Sequence, residues 1–306
     1  MTGRARTSPA LLMVLATLLF AAMGVCVKLA SREVSTAEVV FFRGLVGVVV
    51  VGAMAGWRGL PLRSAVPMLH FWRGFAGVVA LSLWFYAIAK LPLGTAVTFN
   101  YTSSVWMAVF FVLQTAWLRW RGQASTPVPG PLLLAIAVGF AGVALVLRPT
   151  LEADQWREGL MGMASGMLAA WAYVQVMQLG RLGEPEYRVV FYFSLFGTVA
   201  GLLISAGMTA SGLKAWSQPS TWGWVWLIGL GVFATLAQLL MTRAYAEGEP
   251  LAMASLQYLG IAHAFVLGIL LFDDPIDAAG IIGTVLIVAA GVAATRFRRA
   301  SPTAPR

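Results

Sequence analysis

Two arginines stand inside apolar runs where charge is expensive. Arg43 lies in the run that begins near Val39, and Arg73 in the run that begins at Met68. A cation at the centre of a bilayer costs about 2.5–3.5 kcal/mol on insertion scales, so an intramembrane arginine is a functional candidate by default. Each could bind an anionic group or pair across the fold. For Arg43, a structural pair with Glu38, five residues earlier, is the competing reading. For Arg73 the simpler reading is that it snorkels to the cytoplasmic headgroups.

Amides and aromatics form the second group of candidates. Thr98, Asn100, Tyr101, Thr102, Ser103 and Ser104 make one apolar run unusually polar, and a later run offers Ser255, Gln257, Tyr258 and His263. A third contains Trp171, Tyr173, Gln175 and Gln178, and Gln238 adds one more amide. Trp171 and Gln175 are four residues apart and share a helix face. An aromatic beside an amide suits a planar or cationic solute through stacking or cation–π contact. Asn100, Tyr101, Trp171, Gln175, Gln238, Gln257 and Tyr258 are the candidate substrate-binding set. The alternative is packing, because Ser, Thr and Asn hydrogen-bond between membrane helices; for Ser103 and Ser104 that alternative is preferred. Trp84 and Tyr86 fit an interfacial belt. His263 is the candidate for proton coupling, since its intrinsic pKa suits charge exchange near neutral pH; a packing histidine is the competing reading. His70 is expected at an interface.

Other chemistries lack their residues. There is no phosphate loop and no nucleophile elbow. One cysteine, Cys26, and two histidines leave no internal disulfide and no thiolate metal site, so no metal or cofactor is expected. The twelve acids are scattered, and the one cluster, Asp273-Asp274-Pro275-Ile276-Asp277, has no histidine. A membrane-embedded enzyme acting on a lipid or isoprenoid would gather acids or histidines at a membrane face. It stands as the alternative to a carrier.

These residues must be positioned by helices in a bilayer. Of 306 residues, 59% are hydrophobic and 11% charged, with a mean hydropathy of +0.82. A soluble domain carries about 25% charge. Ten segments are long enough to span, over 10–30, 36–56, 68–89, 94–118, 130–148, 159–180, 187–208, 221–244, 251–272 and 276–295. Short turns join them, such as Arg58-Gly59-Leu60-Pro61 and Gly248-Glu249-Pro250. The runs are continuous rather than alternating, which excludes a transmembrane β-barrel and predicts an all-α membrane protein. The first segment is too long for a signal-peptide core and reads as a spanning helix.

The net charge of +9 does not indicate nucleic acid. The basic residues sit singly at the ends of apolar runs, where they meet anionic lipid headgroups. With the N-terminus inside, Arg4, Arg6, Arg58, Arg63, Arg119, Arg121, Arg181, Arg188, Arg243, Arg296, Arg298, Arg299 and Arg306 are cytoplasmic. Lys28, Arg32, Lys90, Arg148, Arg157 and Lys214 are then outside. This two-to-one bias predicts an inner-membrane protein with both termini cytoplasmic. Small-residue spacings such as Gly52-x-x-x-Gly56 and Gly162-x-x-x-Gly166 are compatible with a homodimer.

The chain also repeats itself. Val39-Val40-Phe41 with Leu45 and Gly47 matches Val189-Val190-Phe191 with Leu195 and Gly197 at an offset of 150. Pro92-Leu93 with Ala96 matches Pro250-Leu251 with Ala254 at an offset of 158, and Gly142-Val143-Ala144 matches Gly291-Val292-Ala293 at an offset of 149. Two repeats follow, 10–148 and 159–295, each of five segments. Five is odd, so the second half enters from the opposite side. Inverted repeats of this kind hold a solute site between the halves of secondary transporters.

With Phe41-Phe42-Arg43-Gly44 in the second segment, the chain resembles the EamA family of the drug/metabolite transporter superfamily. Support comes from Tyr86-Ala87-Ile88-Ala89-Lys90-Leu91-Pro92-Leu93-Gly94-Thr95-Ala96 and its counterpart Arg243-Ala244-Tyr245-Ala246-Glu247-Gly248-Glu249-Pro250-Leu251-Ala252. The Arg73-Gly74 pair looks most like the branch that holds S-adenosylmethionine uptake carriers and related animal solute carriers. The resemblance implies a secondary transporter that moves a small polar or amphipathic metabolite through a central cavity. Family members often carry an acid near the end of the fourth and ninth segments. Asp273 or Asp274 fits the second position, but Leu113-Gln114-Thr115-Ala116-Trp117 offers none at the first.

Overall fold

A computed structural model describes residues 8–91, 93–148, 153–213, 216–273 and 275–296. Asp274, Lys214, Arg4, Arg6, Arg298, Arg299 and Arg306, which entered the charge and family readings above, lie outside the described residues. Apart from one short 3₁₀ turn, every regular element among the described residues is an α-helix. In order they are α1 (Pro9–Ala30), α2 (Thr36–Trp57), α3 (Pro67–Lys90), α4 (Leu93–Tyr101), α5 (Ser103–Trp120) and α6 (Gly130–Leu147). The second half holds α7 (Trp156–Arg181), α8 (Glu186–Ala210), α9 (Thr221–Glu247), α10 (Pro250–Gln257), α11 (Leu259–Phe272) and α12 (Ala278–Arg296).

The helix starts follow local chemistry. Proline occupies the first turn of α1, α3 and α10, where its missing N–H leaves no bond unmade. Ser35 and Glu38 form a reciprocal capping box on α2. Nine stretches among the described residues are long and apolar enough to cross a membrane, taking α4–α5 and α10–α11 as one span each. The 24 residues of α3 complete the expected ten. At about 1.5 Å per residue they extend roughly 36 Å, against a hydrocarbon core of about 30 Å. Leu203 and Leu270, 67% and 70% exposed, stand on the outside, an arrangement only lipid contact accommodates at this scale.

Two expected spans differ from the sequence reading. The fourth and ninth are each broken near the middle. At Thr102 the backbone N–H is shared between Thr98 O and Phe99 O, 3.2 Å from each, and the Thr102 hydroxyl donates to Phe99 O at 2.5 Å. Such back-bonding by threonine bends helices. At Tyr258 the N–H donates to Ser255 O at 3.2 Å, and the Ile261 N–H donates to Tyr258 O at 2.9 Å. These are tighter three-residue turns. The breaks fall at corresponding places in the two halves, as in discontinuous transporter helices.

The dominant helix pairings are α1 with α9, α2 with α8, α3 with α7, and α6 with α12. Exchanging the halves turns the α1–α9 pair into the α7–α3 pair and leaves α2–α8 and α6–α12 unchanged. The helices are therefore related by a pseudo-two-fold axis running through the α2–α8 and α6–α12 contacts. Loops at the helix ends are held by carboxylates. Glu33 accepts from the backbone N–H and hydroxyl of Ser220 at 2.6 and 2.9 Å. At the other ends of the helices, Glu184 accepts from Ser64 (2.7 Å), Arg188 (2.9 Å) and His70 (3.2 Å).

Candidate functional site

The site is built where α2 and α8 cross. A side chain on Gly44 would come within 2.7 Å of Ser194 O, so glycine is what lets the two backbones touch. Close approach sets the neighbouring residues Arg43 and Phe193 face to face. They are also equivalents at the 150-residue offset. The Arg43 guanidinium carbon lies over the Phe193 ring, 5.4 Å from its centroid. Arg73, reaching in from α3, lies over the same ring at 4.1 Å. Both cations thus meet at one ring inside the helical bundle, beside the pseudo-two-fold axis.

The simpler reading of Arg73 and the competing reading of Arg43 both need correction. Arg73 does not snorkel: it is 3% exposed, and its Nε and Nη1 have no hydrogen-bond partner among the described residues. Gly77, one turn further along α3, leaves the space that it fills. A Cβ there would overlap Arg73 Nη1 and approach the Phe193 ring to 2.8 Å. Arg43 does not pair with Glu38. The Glu38 carboxylate accepts instead from the N–H and hydroxyl of Ser35 (2.7 and 2.6 Å) and of Ser217 (2.6 and 2.9 Å). None of the ion pairs among the described residues involves Arg43 or Arg73.

Arg43 lines a small cleft, hardly larger than one water molecule, together with Phe193, Ser194, Ala234, Thr235 and Gln238. Gln238, one of the expected amides, is 9% exposed. Beside this cleft lies a layer of tyrosines. Tyr173 stacks on Tyr245, with ring centroids 5.5 Å apart and planes inclined by 16°. Tyr173 is in electrostatic reach of both arginines and is a hydrogen-bonding neighbour of Gln257. The Gln257 amide also donates to Met241 Sδ at 3.5 Å. Tyr101 and Tyr258, next to the two helix breaks, bring their rings to 6.3 Å. Nearby on α7 and α9, Gln175 Oε1, Thr242 Oγ1 and the Tyr245 hydroxyl are buried without partners among the described residues. Buried polar atoms are nearly always paired, so such a group calls for an explanation.

The expected residues are thus only partly gathered. Arg43 shares the cleft with Gln238. Gln257 meets Tyr173, and Tyr101 meets Tyr258. Asn100 is partly buried on α4, which packs against α7. Trp171 and Gln175 do not share an environment: Gln175 is 3% exposed, whereas Trp171 is 38% exposed beside the equally open Trp72, at 6.1 Å. Ser104 donates to Ala254 O at 2.8 Å, joining the halves as a packing bond. His263 stands 3.4 Å from the Thr17 hydroxyl, which itself donates to Val14 O at 2.8 Å. Phe193 and Tyr245 were not expected at the site; Tyr173 was noted among the polar aromatics of its segment but not included in the binding set. For Phe193 a signal existed, since the 150-residue offset pairs it with Arg43.

Fold and site together define a polytopic membrane carrier assembled from two related five-span halves. The chain belongs to the EamA-like transporter family, whose model matches residues 7–148 and 157–295. It is 30% identical over 295 residues to the pseudopaline exporter of Pseudomonas aeruginosa, covering 95% of this chain and 97% of the relative. It is 21% identical to the S-adenosylmethionine uptake transporter of Rickettsia conorii, covering 82% and 80%. It is 25% identical to the riboflavin transporter of Brucella anthropi, covering 69% and 70%. A solved crystal structure matches with a TM-score of 0.79 over 96% of this chain and 99% of the other, at 19% identity, a likeness of fold alone. The protein is a multi-pass membrane transporter and not an enzyme.

Proposed function

We propose that the protein is a secondary transporter of the inner membrane, with both termini cytoplasmic. It moves a small polar or amphipathic metabolite through the space between residues 10–148 and 159–295. The observation that carries this reading is the small polar cleft at the α2–α8 crossing, lined from both halves by Arg43 and by Phe193, Ser194 and Gln238. A site next to a pseudo-two-fold axis can face either side of the membrane as the halves rock about it. The broken spans supply movable half-helices beside it, with Tyr101 and Tyr258 at the breaks. The relatives include both an exporter and uptake carriers. One architecture therefore serves either direction.

The test is reconstitution of the purified chain in liposomes loaded with labelled amino acids, nucleosides or S-adenosylmethionine, with and without a pH gradient. Saturable movement of one solute class, above protein-free vesicles, is the expected result. Vesicles that move none of these classes, and no opines or flavins, refute the reading.

A further inference from the structure

We propose that Arg43 and Arg73 form an oxyanion subsite, and that the transported solute carries a carboxylate or phosphate which binds between them. The inference rests on the carrier reading above and narrows its substrate class.

Two cations that meet at one ring inside a membrane-spanning bundle need a reason. Each costs a few kcal/mol to place in a bilayer, and removing a charge from water is normally offset by a partner of opposite sign. Here the partner is an aromatic ring. Both guanidinium groups lie over Phe193, at 5.4 and 4.1 Å. A ring face attracts a cation, but its quadrupole cannot neutralise two of them. It also accepts no N–H hydrogen bond from the guanidinium edge of the kind a carboxylate would. Arg73 Nε and Nη1 are buried and have no acceptor among the described residues. A planar fork of N–H donors matches the two oxygens of a carboxylate or phosphate. The polar neighbours fit the same ligand: Gln238 on the cleft wall and the Tyr173 hydroxyl within electrostatic reach of both cations are donors. Among the described residues no carboxylate is within ion-pair distance to compete.

The shape of α3 supports a dedicated geometry. Arg73 lies along its own helix over Gly77, where any side chain would push the guanidinium from its present place. An arginine that merely reached for headgroups would have no use for that gap.

The experiment is thermal unfolding of the full-length protein in a neutral detergent at constant ionic strength. The probes are citrate, L-glutamate and inorganic phosphate, with sodium chloride and putrescine as controls and phosphatidylglycerol as a lipid arm. Saturable stabilisation by at least one soluble oxyanion, and none by putrescine, is expected. Arg43→Gln and Arg73→Gln should each weaken that apparent affinity tenfold or more, equivalent to about 1.4 kcal/mol. Gly77→Ala keeps both charges yet should weaken it several-fold by displacing Arg73, and Arg73→Lys should restore part of what Arg73→Gln loses. No stabilisation by any soluble oxyanion, or equal affinity in wild type and both Gln variants, overturns the subsite. Stabilisation by phosphatidylglycerol alone also overturns it, assigning the arginines to lipid. Because binding is read without flux, the two readings fail separately. Oxyanion binding without transport counts against the carrier. Transport unaffected by Arg43→Gln and Arg73→Gln counts against the subsite.

Discussion

Arg43 and Phe193 are 150 residues apart, occupy equivalent places in the two halves, and meet with the guanidinium 5.4 Å from the ring centroid. The pseudo-two-fold axis passes between them. One half therefore supplies a charge and the other the aromatic face that holds it, so a site on a symmetry axis is itself asymmetric.

Removing that aromatic face should be felt by both arginines. A cation–π contact is worth about 0.5–2 kcal/mol, and Phe193 is 8% exposed. Phe193→Leu is expected to lower unfolding stability in detergent by about 1–3 kcal/mol, through the lost ring contacts and the small cavity left behind. Double variants of Phe193→Leu with Arg73→Gln should cost less than the sum of the single effects. Strict additivity would mean that the ring and Arg73 act independently.

Topology follows from the odd number of spans in each half. Reporter fusions after Arg306 and next to Gly212 in the α8–α9 loop should report opposite sides, with the C-terminal one cytoplasmic. Identical signals would be incompatible with five spans per half.

Access to the cavity can be read by labelling. After Cys26→Ala, Gln238→Cys and Gln257→Cys should react with small polar thiol reagents, and a transported solute should slow the reaction. Trp171→Cys, on the exposed α3–α7 face beside Trp72, should show no such protection. Equal protection at Trp171 would place that face inside the pathway.

The clip at Glu184 should make stability fall at acid pH. Burial alone would raise its pKa, but hydrogen bonds from Ser64, Arg188 and His70 more than offset that and hold the carboxyl below its ordinary range. A group with a depressed folded-state pKa stabilises the fold above its unfolded value near 4.3. That contribution is lost as pH falls through the folded value. Glu184→Gln should cost about 1.5–3 kcal/mol at neutral pH, as expected for hydrogen bonds to a charged group, and should flatten the acid limb of a stability–pH curve.

His263 offers a test of coupling. His263→Gln is expected to weaken transport driven by a pH gradient while leaving gradient-free exchange intact, because exchange needs the cavity but no net proton flow. Normal gradient-driven transport in that variant would leave His263 as the packing partner of Thr17.

The class of this protein was legible in its composition. With 11% charge and ten apolar runs there is no soluble way to hide the side chains. The backbone must then satisfy its own hydrogen bonds as helices. The matches at offsets near 150 identified the halves, and the odd span count implied their inversion, since topology is arithmetic once the spans are known. The direction in which Arg73 points was not legible. In water a helix advertises its buried face by contrast with a polar one. In lipid both faces are apolar, so α3 reads the same whether Arg73 faces headgroups or core. The breaks at Thr102 and Tyr258 were hidden for a related reason: neither contains proline, and a hydroxyl back-bond or a three-residue turn leaves the hydropathy unchanged. Packing decided these features, because only the crossing of α2 and α8 at Gly44, and the gap at Gly77, bring Arg43, Phe193 and Arg73 together.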